Sequence, residues 1–353
     1  MPSKKISANT GNAPRATVQE RWGEKPYFSL DHYLKKTFGE KIYKIALDGG
    51  MTCPNRDGTL DTRGCIFCSQ GGSGDFAIKK TLCSVREQID QGIDFLKCHS
   101  KDTGKHYIAY FQSFSNTYAP VSYLRPLYLE AIQDERIKVL SIATRPDCFS
   151  EDIFNLLEEC HRQKPVWIEL GLQTIHEKTA TIIRRGYPLS VFEDTVRQLQ
   201  KRHIPVIVHV ILGLPGETTK DILETIHYLN ELGIDGIKLQ LLHVLKGTDL
   251  GHIYQNQFIS SIDRQAENSA ADAEKASFPA NIRTFTQEEY VQLLLQCIGH
   301  LSPDIVIHRL TGDGPKDLLL APRWSLNKRA VLNDIAHQLK KQGVYQGCFL
   351  PPK

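Results

Sequence analysis

The stretch "MTCPNRDGTLDTRGCIFCSQGG", residues 51–72, carries Cys53, Cys65 and Cys68, with eleven residues between the first pair and two between the second. Thiolates gathered on one Gly- and Asp-rich loop hold zinc or an iron–sulfur cluster, and zinc needs a fourth Cys or His brought from elsewhere. The chain has no second C-x-x-C. Cys83 and Cys98 lie on or beside the helix expected next, while Cys148, Cys160, Cys297 and Cys348 stand alone, as small buried or partly buried residues do. Nine cysteines at irregular spacing also argue against a disulfide framework. Three ligands without a fourth leave one coordination position open. On a cubane cluster that position frees one iron for a small molecule and turns a redox centre into a catalytic one. A structural zinc site is the competing reading.

The elements that must position this loop are read from hydrophobic periodicity. Strands are expected at 41–49, 107–113, 139–146, 166–174, 206–216 and 236–244. Between them, apolar residues recurring at three and four predict helices near 84–98, 121–135, 150–162, 176–184 with 189–203, and 217–232. Repeated strand–helix–strand units mean a parallel α/β sheet. Six units suit a partial or complete (β/α) barrel; a doubly wound open sheet is the other geometry, and periodicity does not separate the two.

In both geometries ligands sit at the C-terminal ends of the strands. The cysteine loop follows the first strand, "QSFSNTYAP" ends the second, "TRPDCF" the third, "ELGLQT" the fourth, "GLPGET" the fifth and "LKGTDL" the sixth. Turns alone do not require Gln112, Ser115, Asn116, Arg145, Asp147, Glu169 and Gln173 at one end, so an active site is expected there. "GLPGET" lacks the Lys-Ser/Thr of a phosphate-binding loop and the third glycine of a dinucleotide fingerprint, and its Glu217 and Thr218 start the next helix.

With 353 residues, 41% of them hydrophobic and 24% charged, the chain can bury a large core. No run of about 18 apolar residues appears, and the N-terminal segment has no signal-peptide character, so a cytoplasmic protein without a membrane partner is expected. Residues 1–22 read as a disordered basic arm, 23–258 as the core barrel, and 259–283 as a polar, Ala-rich insertion or linker. Residues 284–353 read as an extension of helix, short strand, Gly/Asp loop and last helix. Nine Lys/Arg stand against four Asp/Glu in residues 1–45 and eight against four in residues 301–353, so a total of +3 leaves residues 46–300 at −6. Basic flanks around an acidic middle can contact a polyanion such as RNA.

The order Cys…C-x-x-C, Gln/Ser-rich second strand end, "GLQT", "RRGY", "GLPGET" and "LKGTDL", with "IHRLTGDGPKDLLLAPRW" near the C-terminus, resembles the radical S-adenosylmethionine (SAM) enzymes. Within them it is similar to the YhcC/YtqA-type group, related to the catalytic subunit of Elongator. The resemblance covers about residues 25–353 and departs from the common C-x-x-x-C-x-x-C spacing by its wider first gap. It implies a partial (β/α)6 TIM-like barrel with a small C-terminal α/β extension closing the barrel edge. Cys53, Cys65 and Cys68 would then ligate a [4Fe-4S] cluster whose fourth iron binds SAM, and a flavodoxin- or ferredoxin-like donor would reduce it. Reductive cleavage would release methionine and a 5′-deoxyadenosyl radical that takes a hydrogen atom from substrate.

By the same resemblance Phe67 lies near the adenine, Gln112 and Ser115 (with Asn116 and Thr117 as substitutes) meet the methionine amino group, and Thr144 and Gln173 meet the ribose. Arg185, or its neighbour Arg184, would bind the methionine carboxylate; His209 would face the adenosine and Gly213 let backbone approach the adenine. His308, Arg309 and Asp313, with Thr311 and Lys316, are the substrate-side candidates. A tRNA base is the expected substrate, specifically the C5 side chain of the wobble uridine. The alternatives are radical chemistry on a small metabolite or protein, and a zinc-stabilised RNA-binding module without catalysis. A simple electron carrier would use four cysteines.

Overall fold

Short β-branched runs buried on both faces need helices on one side and packed side chains on the other. The computed structural model describes residues 21–72, 74, 83–99, 104–263, 282–312 and 314–351. In chain order these form α1 (Leu30–Phe38), β1 (Tyr43–Leu47), α2 (Val85–His99), β2 (Tyr107–Phe111), α3 (Val121–Gln133), β3 (Ile137–Thr144), α4 (Glu151–Gln163) and β4 (Val166–Gln173). There follow α5 (Glu177–Ile182), α6 (Leu189–Lys201), β5 (Val206–Leu212), α7 (Thr219–Leu232), β6 (Gly236–Leu241), β7 (Val244–Leu245) and α8 (Asp249–Asp263). The C-terminal part supplies α9 (Gln287–His300), β8 (Val306–Arg309), β9 (Leu319–Ala321) and α10 (Lys328–Gln342).

The main sheet holds seven strands in the order β1-β2-β3-β4-β5-β6-β8, all parallel. The order never reverses, so there is no switch point of the doubly wound kind and the sheet curls into a half-barrel. Its seventh strand comes from the C-terminal segment, where six were expected. Residues 28–29 cover its outer edge: Ile307 N–H donates to Phe28 O at 2.8 Å and Ser29 bridges Ile307.

Alternation along the strands sorts the side chains into faces. Outward residues such as Leu140, Ile168, Val208 and Leu239 join Leu124, Phe192 and Ile226 of the covering helices in the main core. Inward residues make layers. At the N-terminal end Ile108, Val139, Trp167 and Ile207 pack on Leu34 of α1, which plugs that end. One step further along each strand the inward residues turn polar. Helix starts follow local capping rules: Ser29 accepts from His32 N–H, and Thr218 with Asp221 and Thr286 with Glu289 form capping boxes.

Three boundaries differ from the sequence reading. Trp22, assigned to the arm, is 3% exposed, and Arg21 pairs with Asp304 at 3.2 Å; residues 1–20 lie outside the described residues. The sixth strand stops at Leu241, because Val244–Leu245 turns away to pair antiparallel with Leu319–Ala321. The insertion is shorter than 259–283: α8 continues to Asp263, and Ile282 is buried with its N–H and C=O both held by the Gln257 side chain, at 2.7 and 3.1 Å. No helix among the described residues is long and apolar enough to cross a membrane.

Candidate active site

The polar layer gathers one side chain from each of β1 to β6 around Glu169, whose carboxylate is 0% exposed. Oε1 accepts from Lys44 Nζ at 2.5 Å and Ser141 Oγ at 2.7 Å, and Oε2 from His209 Nε2 at 2.8 Å and from Lys238 Nζ. Lys238 Nζ also donates to Tyr110 Oη at 3.1 Å. Burial raises the Glu169 carboxyl, but the ammonium groups of Lys238 and Lys44 outweigh it and hold it well below the usual range. One carboxylate neutralises only one ammonium, so burial, with repulsion from Lys44, brings Lys238 down to about 7 against the pull of Glu169. Burial, then Lys238, brings His209 down to about 4. The imidazole is therefore neutral at pH 7; its Nε2–H donates to Glu169, and Nδ1 keeps its lone pair.

Above this floor opens a cavity of about 240 Å³ at the C-terminal ends of the strands. Cys53, Cys65, Cys68, Phe67, Gln112, Ser115, Thr144, Gln173, Arg185 and His209 all line it, so one site unites residues that lie far apart in sequence. Self-bonding folds the wide first gap of the cysteine loop: Arg56 N–H donates to Cys53 O at 2.8 Å, Gly64 N–H to Asn55 O at 2.6 Å, and Cys68 N–H to Cys65 O at 3.0 Å. Asn55 Nδ2 lies 3.5 Å from Cys65 Sγ and donates to Arg184 O at 2.7 Å, and Arg56 Nη2 donates to Ser69 O at 2.6 Å. Gly186, at φ 83°, is required beside this loop, since a Cβ there would stand 2.7 Å from Asn55 Oδ1.

A contact from the Cys68 thiol, then the Arg145 guanidinium, lower the Cys65 thiol against its burial. Among the described residues only His176, Asp221 and Glu224 bring three candidate ligand atoms within 4.8 Å of one another, and Asp221 is already committed to its capping box. The three thiols do not all come within 4.8 Å of one another, whereas thiolates on one zinc lie roughly 4 Å apart at a Zn–S length of about 2.3 Å. Gln173 adds a second observation. It sits at φ 70° with Oε1 buried and unpartnered on the cavity wall, two costs of about 1–3 kcal/mol each, of which a bound ligand's donor removes the second. This donor set fits a [4Fe-4S] cluster with a hydroxyl-bearing ligand beside it.

Several assignments change. Asn116 and Thr117 do not line the cavity: Asn116 Nδ2 ties β2 to β3 through Phe111 O and Ala143 O, and Thr117 Oγ1 lies 2.6 Å from Thr144 Oγ1. Arg185 is 2% exposed and spends its guanidinium on Tyr187 O at 3.0 Å, Thr174 O at 2.7 Å, Leu172 O at 3.5 Å and Glu177 at 3.1 Å. It braces the end of β4 rather than offering a free fork. Arg184 pairs with Asp249 instead. The guanidinium beside the thiols belongs to Arg145, which forks onto Asp147 at 2.9 and 2.7 Å and lies 5.1 Å from the Tyr187 ring centroid. Gly213 is not on the cavity wall: it sits at φ 94°, and a Cβ there would stand 2.8 Å from the Phe285 ring.

On the substrate side, Arg309 lines the cavity. His308 does not; its ring meets Trp167 at 5.6 Å, below the Glu169 layer. The β6–β8 register slips by one at this point, so that Ile307 and Arg309 face consecutive residues of β6 and His308 is the extra one, which lets neighbours His308 and Arg309 both reach inward. Asp313 lies outside the described residues, and Thr311 Oγ1 is buried without a partner. Lys44, Tyr110 and Lys238 were not selected from sequence; a lone Lys in an otherwise apolar strand was the available signal.

Two family models match the chain: the radical SAM superfamily over residues 62–229 and the radical SAM C-terminal domain over residues 279–341. The first begins after Cys53, as the wide cysteine spacing would have it. YtqA of Bacillus subtilis (strain 168) is 39% identical over 327 residues, 92% of this chain and 93% of that protein. This chain belongs to the radical SAM superfamily, in the YtqA group. It is a radical SAM enzyme, and its family implies a [4Fe-4S] cluster and SAM. A tRNA-2-methylthio-N(6)-dimethylallyladenosine synthase of Legionella pneumophila (strain Corby) is 29% identical over 110 residues, 31% of this chain and 24% of that one. The archaeal Methanocaldococcus infernus Elp3 shares the fold, with a TM-score of 0.60 at 14% identity over 86% of this chain and 64% of that structure's.

Proposed function

We propose that this radical SAM enzyme holds its cluster through Cys53, Cys65 and Cys68 and modifies a tRNA nucleoside, the C5 side chain of the wobble uridine. The observation that carries the reading is the convergence of the three thiols and the unpartnered Gln173 amide on one cavity at the C-terminal ends of the strands. A cluster and SAM held there would supply one-electron reductive chemistry and, through it, hydrogen-atom abstraction from the substrate. A flavodoxin- or ferredoxin-like protein delivers that electron.

The chain's own residues prepare the site. Arg145 favours thiolates by its charge and, with Asp147 fixing its fork, keeps N–H groups for a carboxylate. Gln173 accepts from a ribose hydroxyl, Gln112 and Ser115 face the amino group, and His209 offers Nδ1 as an acceptor. The tRNA part of the reading draws on the basic flanks, the motif order shared with Elongator and the likeness to a tRNA-modifying synthase.

The test is anaerobic reconstitution followed by assay of iron, sulfide and zinc, with dithionite-dependent release of 5′-deoxyadenosine, and mass spectrometry of nucleosides from tRNA of a deletion strain. About four irons per chain, nucleoside release and a changed wobble uridine are expected. Zinc without cleavage overturns the radical assignment, and cleavage with unchanged tRNA overturns the substrate.

A further inference from the structure

Beside the cavity a second opening runs outward under the C-terminal segment, sharing Gln112, His243, Arg309, Gly312 and Gly314 with it and continuing to Lys316, Ser325 and Lys328. We infer that this groove seats a phosphate group of the substrate, next to the nucleoside held in the cavity; the inference rests on the function proposed above and names how that substrate is recognised.

Two features of the groove point to an anion, and a third shapes its junction with the cavity. Its described charged lining residues, Arg309, Lys316 and Lys328, are all cations. Lys316, with the exposed Arg323 and Arg329 of the same segment, makes no ion pair with any described residue. The second feature is the start of α10. Its first turn carries Lys328 and Arg329 and no acidic residue, at the end of a 15-residue helix where the dipole already favours negative charge. Helices α1, α4, α7 and α9 place Asp or Glu in that position, and α3 and α6, which like α10 have none, start on the neutral Val121 and Leu189 without paired cations at their first two residues. Cations at a helix N-terminus repel the dipole, and an anion bound between them reverses the sign of both interactions. The third is the junction itself. A Cβ on Gly312 would stand 2.9 Å from the His243 ring and one on Gly314 2.7 Å from its Nδ1, so the glycine pair is what admits the imidazole between cavity and groove.

A phosphate reaches this groove either as part of an RNA backbone or on a free nucleotide, and binding measurements separate the two. Binding of unfractionated tRNA to the cluster-loaded chain is followed from 50 to 200 mM KCl, with uridine 5′-monophosphate as the small probe. The variants are Lys316→Gln with Lys328→Gln, and Lys316→Arg with Lys328→Arg. Iron content and thermal midpoint are read on each; Lys316→Gln alone, in an exposed turn, serves if the double variant does not fold.

The Gln pair is expected to weaken tRNA binding at least tenfold and to lower the salt slope by about 0.7 to 0.9, and the Arg pair to restore both. Unchanged affinity and slope in the Gln pair overturn the groove while leaving the tRNA reading intact. Absence of tRNA binding with charge-dependent binding of the nucleotide keeps the groove and overturns the tRNA reading. Binding of neither overturns both.

Discussion

Gln173 is the residue at which fold and function pull apart. Its amide oxygen is buried without a donor, a cost that an apolar wall would shed. Gln173→Leu is therefore expected to hold or raise the thermal midpoint while weakening SAM binding roughly tenfold, the loss of one hydrogen bond to a ligand; calorimetry on the cluster-loaded protein reads both. A fall in stability with unchanged SAM affinity would show the amide to be structural. At this scale the sequence was most legible for the thiols, whose type and spacing restrict their chemistry, and least for arginines. Arg145 and Arg185 look alike in a string of letters, yet Asp147 fixes one toward the cavity and four carbonyl or carboxylate partners consume the other.

Among the elements, α1 and the half-barrel divide the labour between the two ends of the same strands. Leu34, 2% exposed, packs on Ile108, Val139, Trp167 and Ile207 at the end remote from the cysteines. Leu34→Ala is expected to cost about 2–5 kcal/mol, measured by denaturant unfolding, with iron content per folded chain unchanged. Loss of iron in proportion would mean that the plug sets the geometry of the cysteine loop. Strands and helices of the barrel were readable because alternation and the three–four repeat are local. The break at Leu242–His243 was not, because it depends on Leu319–Ala321 pairing with Val244–Leu245 across more than 70 residues. The register slip at His308 is hidden for the same reason: one inserted residue on a partner strand leaves no mark in periodicity.

Taken whole, the molecule carries its least hydrated charges at its centre, and stability should follow them. His209 falls to about 4 in the fold and lies near 6.5 when unfolded, so its contribution is complete above that value and is lost as pH drops from about 6.5 toward 4. Glu169, held low, adds its own loss below the ordinary carboxylate range. Lys238, down at about 7, binds fewer protons folded than unfolded between about 7 and 10.5, so its penalty shrinks as pH rises through that window. Thermal midpoints are expected to climb from pH 4 to 6.5, and His209→Gln to flatten that climb; an unchanged profile would mean that other groups govern acid stability. The same layer fixes how deep anything can travel into the barrel. Tyr110, Glu169 and Lys238 form a rigid stop tied strand to strand, so a guest entering from the mouth meets a gauge of set height. Which carbon of a long side chain comes level with the cysteines is then a matter of reach, counted in bonds from wherever the guest is anchored.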